Sequence, residues 1–198
     1  MDKLLLSKSL SELREPSDKN VRLEQYSTDI ATAVDFLLFA DSYGKLNGKH
    51  VTDFGCGNGI LGIGAAILGA AAVDMYDIDE KMVELAEKNV IGSNATNCRV
   101  YKKDFFDVDA HYDTAISNPP FGFQSTFNIE AFISKLKEVA DSFFFIYKSN
   151  KRIQKIVQME DLKIEDFGKI VLPKSATFHK KERVGLPICI VYKSGGSI

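Results

Sequence analysis

The chain has little that ties it to an oxidising compartment, a metal or a membrane. Its 198 residues hold three cysteines, Cys56, Cys98 and Cys189. They are odd in number and lack paired spacing, so neither a disulfide framework nor a zinc site is expected, and the three read as reduced thiols. No run of about eighteen apolar residues is there to span a bilayer. The apolar stretch in the opening MDKLLLSKSL is too short for a secretory signal, and a cytoplasmic location is expected. Neither acidic nor basic residues are in large excess: the formal net charge is −2, which excludes a protein that is basic overall while leaving room for local basic patches. What is present, 45% hydrophobic and 26% charged residues, suits a single core, so residues 1–198 are expected to form one domain.

Short β-rich apolar runs alternate with helix-like stretches. HVTDFG reads as a strand and GILGIGAAILGA as a helix packed through small residues. AVDMYDID follows as a second strand, and EKMVELAEKNVIG as a helix with Met82, Leu85, Ala86 and Val90 at helical spacing. CRVYKKD and YDTAIS are the third and fourth strands, IEAFISKLKEVA a helix and SFFFIY the fifth strand. A helix over 150–159 and two strands, KIEDFGKIVL and LPICIVYK, complete the series. Strands alternating with helices predict an α/β, Rossmann-like three-layer sandwich around a seven-stranded, mostly parallel sheet, with its last strand expected to be antiparallel. Ligands of such sheets bind at the carboxyl ends of the strands, near the point where strand order reverses. Before the first strand, Ala31, Val34, Leu37 and Leu38 form an apolar helical stripe with Ser27 or Thr28 as cap.

The first strand-to-helix junction is DFGCGNGILG. Gly55, Gly57 and Gly59 permit a tight turn and close approach of a ligand to the backbone. Read literally, Gly57-x-Gly59-x-x-Gly62 matches the dinucleotide fingerprint of an oxidoreductase, with Asp77 or Asp79 about twenty residues on. Asp53 separates the readings. A carboxylate there would repel a pyrophosphate and attract a cationic amino group. S-adenosylmethionine carries such an ammonium, and ribose hydroxyls for an acid after the second strand. Spacing alone leaves that acid open between Asp77 and Asp79. Asp77, with Ile78 against the adenine, is preferred because Asp79 suits the cap of the next helix. Asp104, with Phe105 beside it, is placed at the end of the third strand to accept from the adenine amino group.

The fourth strand ends in SNPPFG, Ser117 to Gly122. With a sulfonium cofactor over strands one to three, this segment faces the methyl group. Displacement from a sulfonium mainly requires alignment of the nucleophile. A planar exocyclic amine is a poor nucleophile because its lone pair is delocalised. Asn118 can accept one amine hydrogen and the Pro119 carbonyl the other, which favours a pyramidal nitrogen. Pro119 and Pro120 fix the backbone that aims these acceptors, and Phe121 is expected to offer a stacking face to a planar base.

At these residues the chain resembles the class I S-adenosylmethionine-dependent methyltransferases with an Asn-Pro-Pro-aromatic motif. More narrowly, it resembles the archaeal and eukaryotic methyltransferase-like family acting on adenine N6 in small-subunit ribosomal RNA. The resemblance is carried by LEQYSTD, DFGCGNGILGIGAAILGA, DIDE, ISNPPFG and LPKSATFHKK. It implies that Gln25, Tyr26 and Thr28 line the cofactor and active-site pocket. Residues 1–45 would then form an N-terminal helical extension over the cofactor edge, and a small zinc-binding activator protein is implied as a partner. Protein glutamine N-methyltransferases use the same amide-clamping logic and stand as the alternative, and a non-catalytic cofactor-binding ribosome assembly factor is a further one.

Lys148, Lys151 and Arg152, together with His179, Lys180 and Lys181, follow the fifth strand and the loop between the last two strands. They are candidate RNA contacts, although charge runs are usually solvated faces. The target would be held by the core itself, as an extruded or single-stranded base.

Overall fold

The computed structural model describes residues 2–17, 28–122, 127–171 and 185–195. Two helices, α1 (Lys3–Ser11) and α2 (Ile30–Ser42), precede the first strand. Then come β1 (His50–Phe54), α3 (Ile60–Ile67), β2 (Ala72–Asp77), α4 (Glu80–Ser93) and β3 (Cys98–Lys102). The chain continues through β4 (Tyr112–Ser117), α5 (Ile129–Val139), β5 (Ala140–Lys148), α6 (Lys151–Met159), β6 (Lys163–Val171) and β7 (Gly185–Lys193).

The strand order is β3-β2-β1-β4-β5-β7-β6. Pairs from β3 to β5 are parallel, while β7 runs antiparallel to both β5 and β6, between which it lies. This is the expected Rossmann-like sheet with its last strand reversed. The chain winds from β1 out to β3, then returns to the other side of β1. Strand order therefore reverses between β1 and β4, where Asp53 and Phe54 sit in register with Ile116 and Ser117.

Consecutive strand residues point to opposite faces, and this divides the helices between two layers. On the Asp53 side, a Cβ on Gly62 of α3 would collide with Met75 Sδ and lie 3.3 Å from Asp53 Oδ2, so the glycine lets the helix sit directly on β1 and β2. A Cβ on Gly64 would strike Leu37 of α2 and touch Leu10 of α1 at 3.6 Å, which places α1 and α2 in the same layer. On the Phe54 side, Phe132 of α5 packs edge-on against Phe145 of β5, ring centres 5.5 Å apart, and α6 joins α5 through Arg152 and Glu130. Phe143, Phe144 and Phe145 are all fully buried, as expected for a strand covered on both faces.

Two expectations about the N-terminal part change. Asp29, rather than Ser27 or Thr28, caps α2: its carboxylate accepts from Thr32 N at 3.0 Å and from the Thr32 hydroxyl at 2.7 Å. A carboxylate at this position also gains from the helix dipole. The helix is thereby phased so that Ala31 is exposed and Leu38 partly buried, with Ala33, Val34, Phe36, Leu37 and Ala40 inside. Helix α1 lies within the expected helical extension of residues 1–45, although no helical stripe is predicted there. Its nine residues are too few to be stable alone, and burial of Leu6 and Leu10 against the other helices supports it.

Candidate functional site

The loop after β1 takes a backbone path that glycine adopts without strain. Gly55, Gly57 and Gly59 have φ of 69°, 55° and 85°. Gly55 N and Cys56 N both donate to Tyr76 O, at 2.9 and 3.0 Å, tying the loop to the end of β2. Asp77 completes the seam: one carboxylate oxygen accepts from Gly57 N and the other from Asp79 N, each at 2.9 Å. Burial is the largest influence on its carboxyl and raises its pKa. Asp79 caps α4 as expected, accepting from Lys81 N at 2.9 Å.

Asp53 is 1% exposed. Its Oδ2 accepts from Gly62 N in the first turn of α3 at 2.9 Å, while Oδ1 is buried with no hydrogen-bond partner among the described residues. Burial, opposed by the Gly62 bond and reinforced by Asp77, pushes its pKa up to about 7. One oxygen therefore steadies the helix, and the other is an acceptor with nothing to accept. A buried acceptor in this state is costly and invites a donor or cation.

Ile78, beside Asp77, is 59% exposed and offers an apolar surface at the carboxyl edge. The third strand is shorter than expected: β3 stops at Lys102, and Asp104 caps a 3₁₀ turn, Phe105–Asp107, its Oδ1 accepting from Phe106 N at 3.0 Å. Lys103 N donates to Asp77 O at 3.0 Å, which brings this turn beside Asp77. Phe105 is partly buried against Phe54, Phe106 and Phe132.

At the end of β4, the fully buried Ser117 donates through its hydroxyl to Phe54 O at 2.6 Å, tying the two strands together at the switch point. Asn118 comes next. Its Nδ2 donates to Thr28 Oγ1 at 2.8 Å, and its Oδ1 is buried without a hydrogen-bond partner among the described residues. Pro119 is buried and Pro120 partly so. Phe121 does not present an open stacking face. It is 6% exposed, its ring lies edge-on to Tyr147 at 5.6 Å, and the Tyr147 hydroxyl contacts Phe121 O at 3.4 Å. An aromatic ring this close to the core gains more from apolar packing than from waiting for a ligand.

Among the basic candidates, Arg152 donates through Nη2 to both carboxylate oxygens of Glu130 at 3.0 and 2.9 Å, Lys148 lies 5.8 Å from the centre of the Tyr147 ring, and Lys151 is exposed. Gln25, Tyr26, His179, Lys180 and Lys181 lie outside the described residues. The three cysteines are free and buried, and no group of metal ligands occurs among the described residues. No helix among them is long and apolar enough to cross a membrane.

Two side chains that sequence reading passed over shape the loop. Asn89 of α4, 2% exposed, donates to Asn58 O at 2.8 Å and to Arg14 O at 3.1 Å, and accepts from Arg14 N at 2.8 Å. Asn58, also buried, donates to Arg14 O at 3.3 Å. The available signal was a polar residue on the apolar stripe of Met82 and Ala86.

The parts converge on one edge: an unsatisfied carboxylate oxygen at Asp53, an acid at Asp77 with an exposed apolar neighbour, and an unsatisfied amide oxygen at Asn118. These acceptors suit the ammonium and ribose hydroxyls of S-adenosylmethionine, and the apolar neighbour suits its adenine. Residues 25–144 match the model of the methyltransferase small domain. The chain is 33% identical to the protein MJ0284 of Methanocaldococcus jannaschii, covering 93% of this chain and 90% of that one. It is 32% identical to the rRNA N(6)-adenosine-methyltransferase METTL5 of Danio rerio, covering 86% and 88%. The crystal structure of PH1948 from Pyrococcus horikoshii superposes with a TM-score of 0.85 at 29% identity, covering 97% of each chain. The chain belongs to the methyltransferase small domain family, and its cofactor is S-adenosylmethionine.

Proposed function

We propose that the protein methylates the N6 amine of an adenine in ribosomal RNA, in the small subunit. The observation that carries this reading is Asn118 Oδ1, a buried acceptor with no partner among the described residues, on the rigid Pro-Pro turn where strand order reverses. The zebrafish relative is named for that reaction on rRNA.

When bound, the cofactor supplies an electrophilic methyl carbon on a sulfonium. Asp53 would take the ammonium with Oδ1, Asp77 the ribose hydroxyls, Ile78 and Phe105 the adenine faces, and Asp104 the adenine amino group. Asn118 Oδ1 and the Pro119 carbonyl would accept the two hydrogens of the target amine, which favours a pyramidal nitrogen whose lone pair is no longer delocalised into the ring. The amine needs no strong base before attack and loses its proton to water afterwards. Residues 1–45 are read as an extension of this single domain that covers the cofactor edge. Arg14 rests on the loop through Asn58 and Asn89, and Thr28 rests on Asn118. Lys148, Lys151 and Arg152 are proposed to meet RNA phosphates, and a small zinc-binding protein is the proposed partner.

The test is incubation with radiolabelled S-adenosylmethionine and total RNA plus protein from cells lacking the gene. Label recovered as N6-methyladenosine in small-subunit rRNA is the expected result. Label in a protein glutamine, or in another RNA, would overturn the substrate assignment.

A further inference from the structure

We propose that Thr28 is a positioning residue for methyl transfer: its hydroxyl holds the Asn118 amide with the nitrogen turned away and the oxygen presented to the reacting amine. The inference rests on the reading of Asn118 as the amine clamp.

A carboxamide is nearly symmetric in shape and opposite in chemistry at its two ends. Presented nitrogen-first, it would set its own N–H groups against those of an incoming NH₂. Presented oxygen-first, it accepts. Something must decide, and the Pro-Pro turn after Asn118 fixes the backbone without fixing the end of the side chain. The decision is visible at Nδ2, which donates to Thr28 Oγ1 at 2.8 Å and leaves Oδ1 buried and unpaired. The hydroxyl is delivered by a rigid element. Thr28 immediately precedes the α2 cap Asp29, whose carboxylate is engaged by both donors of Thr32, and α2 is anchored by fully buried Phe36, Leu37 and Ala40. With Nδ2 satisfied by Thr28, Oδ1 is the end of the amide left for an incoming donor, an arrangement in which a small local cost sustains a poised acceptor.

The same contact joins two parts of the chain that are distant in sequence. The N-terminal segment is fixed at Arg14 on the glycine loop and again at Thr28 on the amide. Ordering at the start of α2 is thus expressed directly at the atom that grips the substrate.

The test compares Thr28→Val, which keeps the shape and removes the hydroxyl, with Thr28→Ser, which keeps the hydroxyl. Each is measured for single-turnover methylation of rRNA at saturating cofactor, and for S-adenosylhomocysteine affinity by calorimetry. Thr28→Val is expected to slow transfer about 10- to 100-fold, the scale of a misplaced catalytic group. Affinity should stay within about threefold, and Thr28→Ser should recover most of the rate. In the cofactor-free protein, Thr28→Val should also shift the ¹H–¹⁵N resonances of the Asn118 side-chain amide. An unchanged rate together with an unchanged amide resonance overturns the proposal. So does a loss confined to cofactor affinity with the saturated rate intact, which would make Thr28 a cofactor contact alone. Asn118→Ala run alongside keeps the two levels apart: wild-type rate in that variant overturns the clamp itself, whereas a large loss there with none in Thr28→Val overturns only the role of Thr28.

Discussion

Asn89 reaches from α4 to the glycine loop and donates through Nδ2 to Asn58 O at 2.8 Å, while its other contacts grip Arg14. One buried amide therefore sets the distance between the glycine loop after β1 and the N-terminal segment. Asn89→Leu, similar in volume, would leave the Asn58 and Arg14 backbone groups without these partners. A loss of about 1–3 kcal/mol in unfolding free energy is expected. S-adenosylhomocysteine affinity should fall beyond what the stability loss alone explains. Denaturant melts and calorimetric titration, compared with an equally destabilised variant such as Ile188→Ala in β7, measure both.

The proposed place of Asp53 at the cofactor's ammonium predicts that cofactor binding depends on pH. Its pKa is pushed up to about 7 from 3.8 by burial, so in the free protein it becomes protonated as the pH falls through neutrality. A proton on Asp53 competes with an ammonium. The dissociation constant for S-adenosylhomocysteine should rise below about pH 7, by at most tenfold per pH unit, and level off above it. Asp53→Asn should remove this dependence and bind weakly throughout. Stability of the free protein moves the other way. Between pH 3.8 and about 7 the folded state holds a proton that the unfolded state has released, so this group's contribution to stability is lost as the pH rises through 7. Titrations across this range, with and without ligand, check both signs.

Gly62 lies where α3 meets the sheet. A methyl group there would collide with Met75 Sδ, lie 2.6 Å from Met75 Cγ and press to 3.3 Å from Asp53 Oδ2. Met75 is fully buried and has little room to turn aside. Gly62→Ala is expected to lower stability by about 1–3 kcal/mol, as overpacking does. It should also weaken cofactor binding, because the displaced helix carries the N–H that Asp53 accepts. Unchanged melting and unchanged affinity would show that Met75 yields freely.

The alternation of apolar runs made β1 to β5 and the helices between them legible, because a strand covered on both faces needs a nearly continuous run such as Phe143 to Phe145. The glycines at 55, 57 and 59 were legible as a turn for the same local reason, and each has the positive φ that glycine supplies. What escaped was tertiary. Phe121 reads as a ligand platform in a six-residue window and is a core ring once Tyr147 is brought beside it from β5. Asp104 reads as a strand end and is the cap of a short turn. The Asn58–Asn89–Arg14 cluster joins residues up to 75 positions apart, which no periodicity encodes. In α2 the expected stripe holds at Val34 and Leu37, while Ala31 is exposed and the cap is Asp29.

The burial of Phe121 leads to a separable prediction. Phe121→Leu keeps apolar volume in the pocket beside Tyr147 and should cost under about 1.5 kcal/mol. If the ring serves packing alone, the single-turnover rate at saturating cofactor should follow that small loss. A rate reduced far more than the stability, with cofactor affinity unchanged, would show that the base does reach the ring and that Phe121 moves to meet it.

Arg152 and Lys151 begin the same helix and predict opposite behaviour toward RNA. Lys151 is exposed, whereas the Arg152 guanidinium is committed to Glu130 at 3.0 and 2.9 Å. An exposed pair of this kind adds little to stability, so Glu130→Gln should leave the melting temperature nearly unchanged. It should free the guanidinium for phosphate, raising RNA affinity and steepening the dependence of log K on log salt by about one unit. Lys151→Glu should lower affinity and flatten the same slope. If Glu130→Gln and Arg152→Ala both leave binding and slope unchanged, the α6 surface is a solvated face, and the RNA-binding charge must be sought elsewhere along the carboxyl edge.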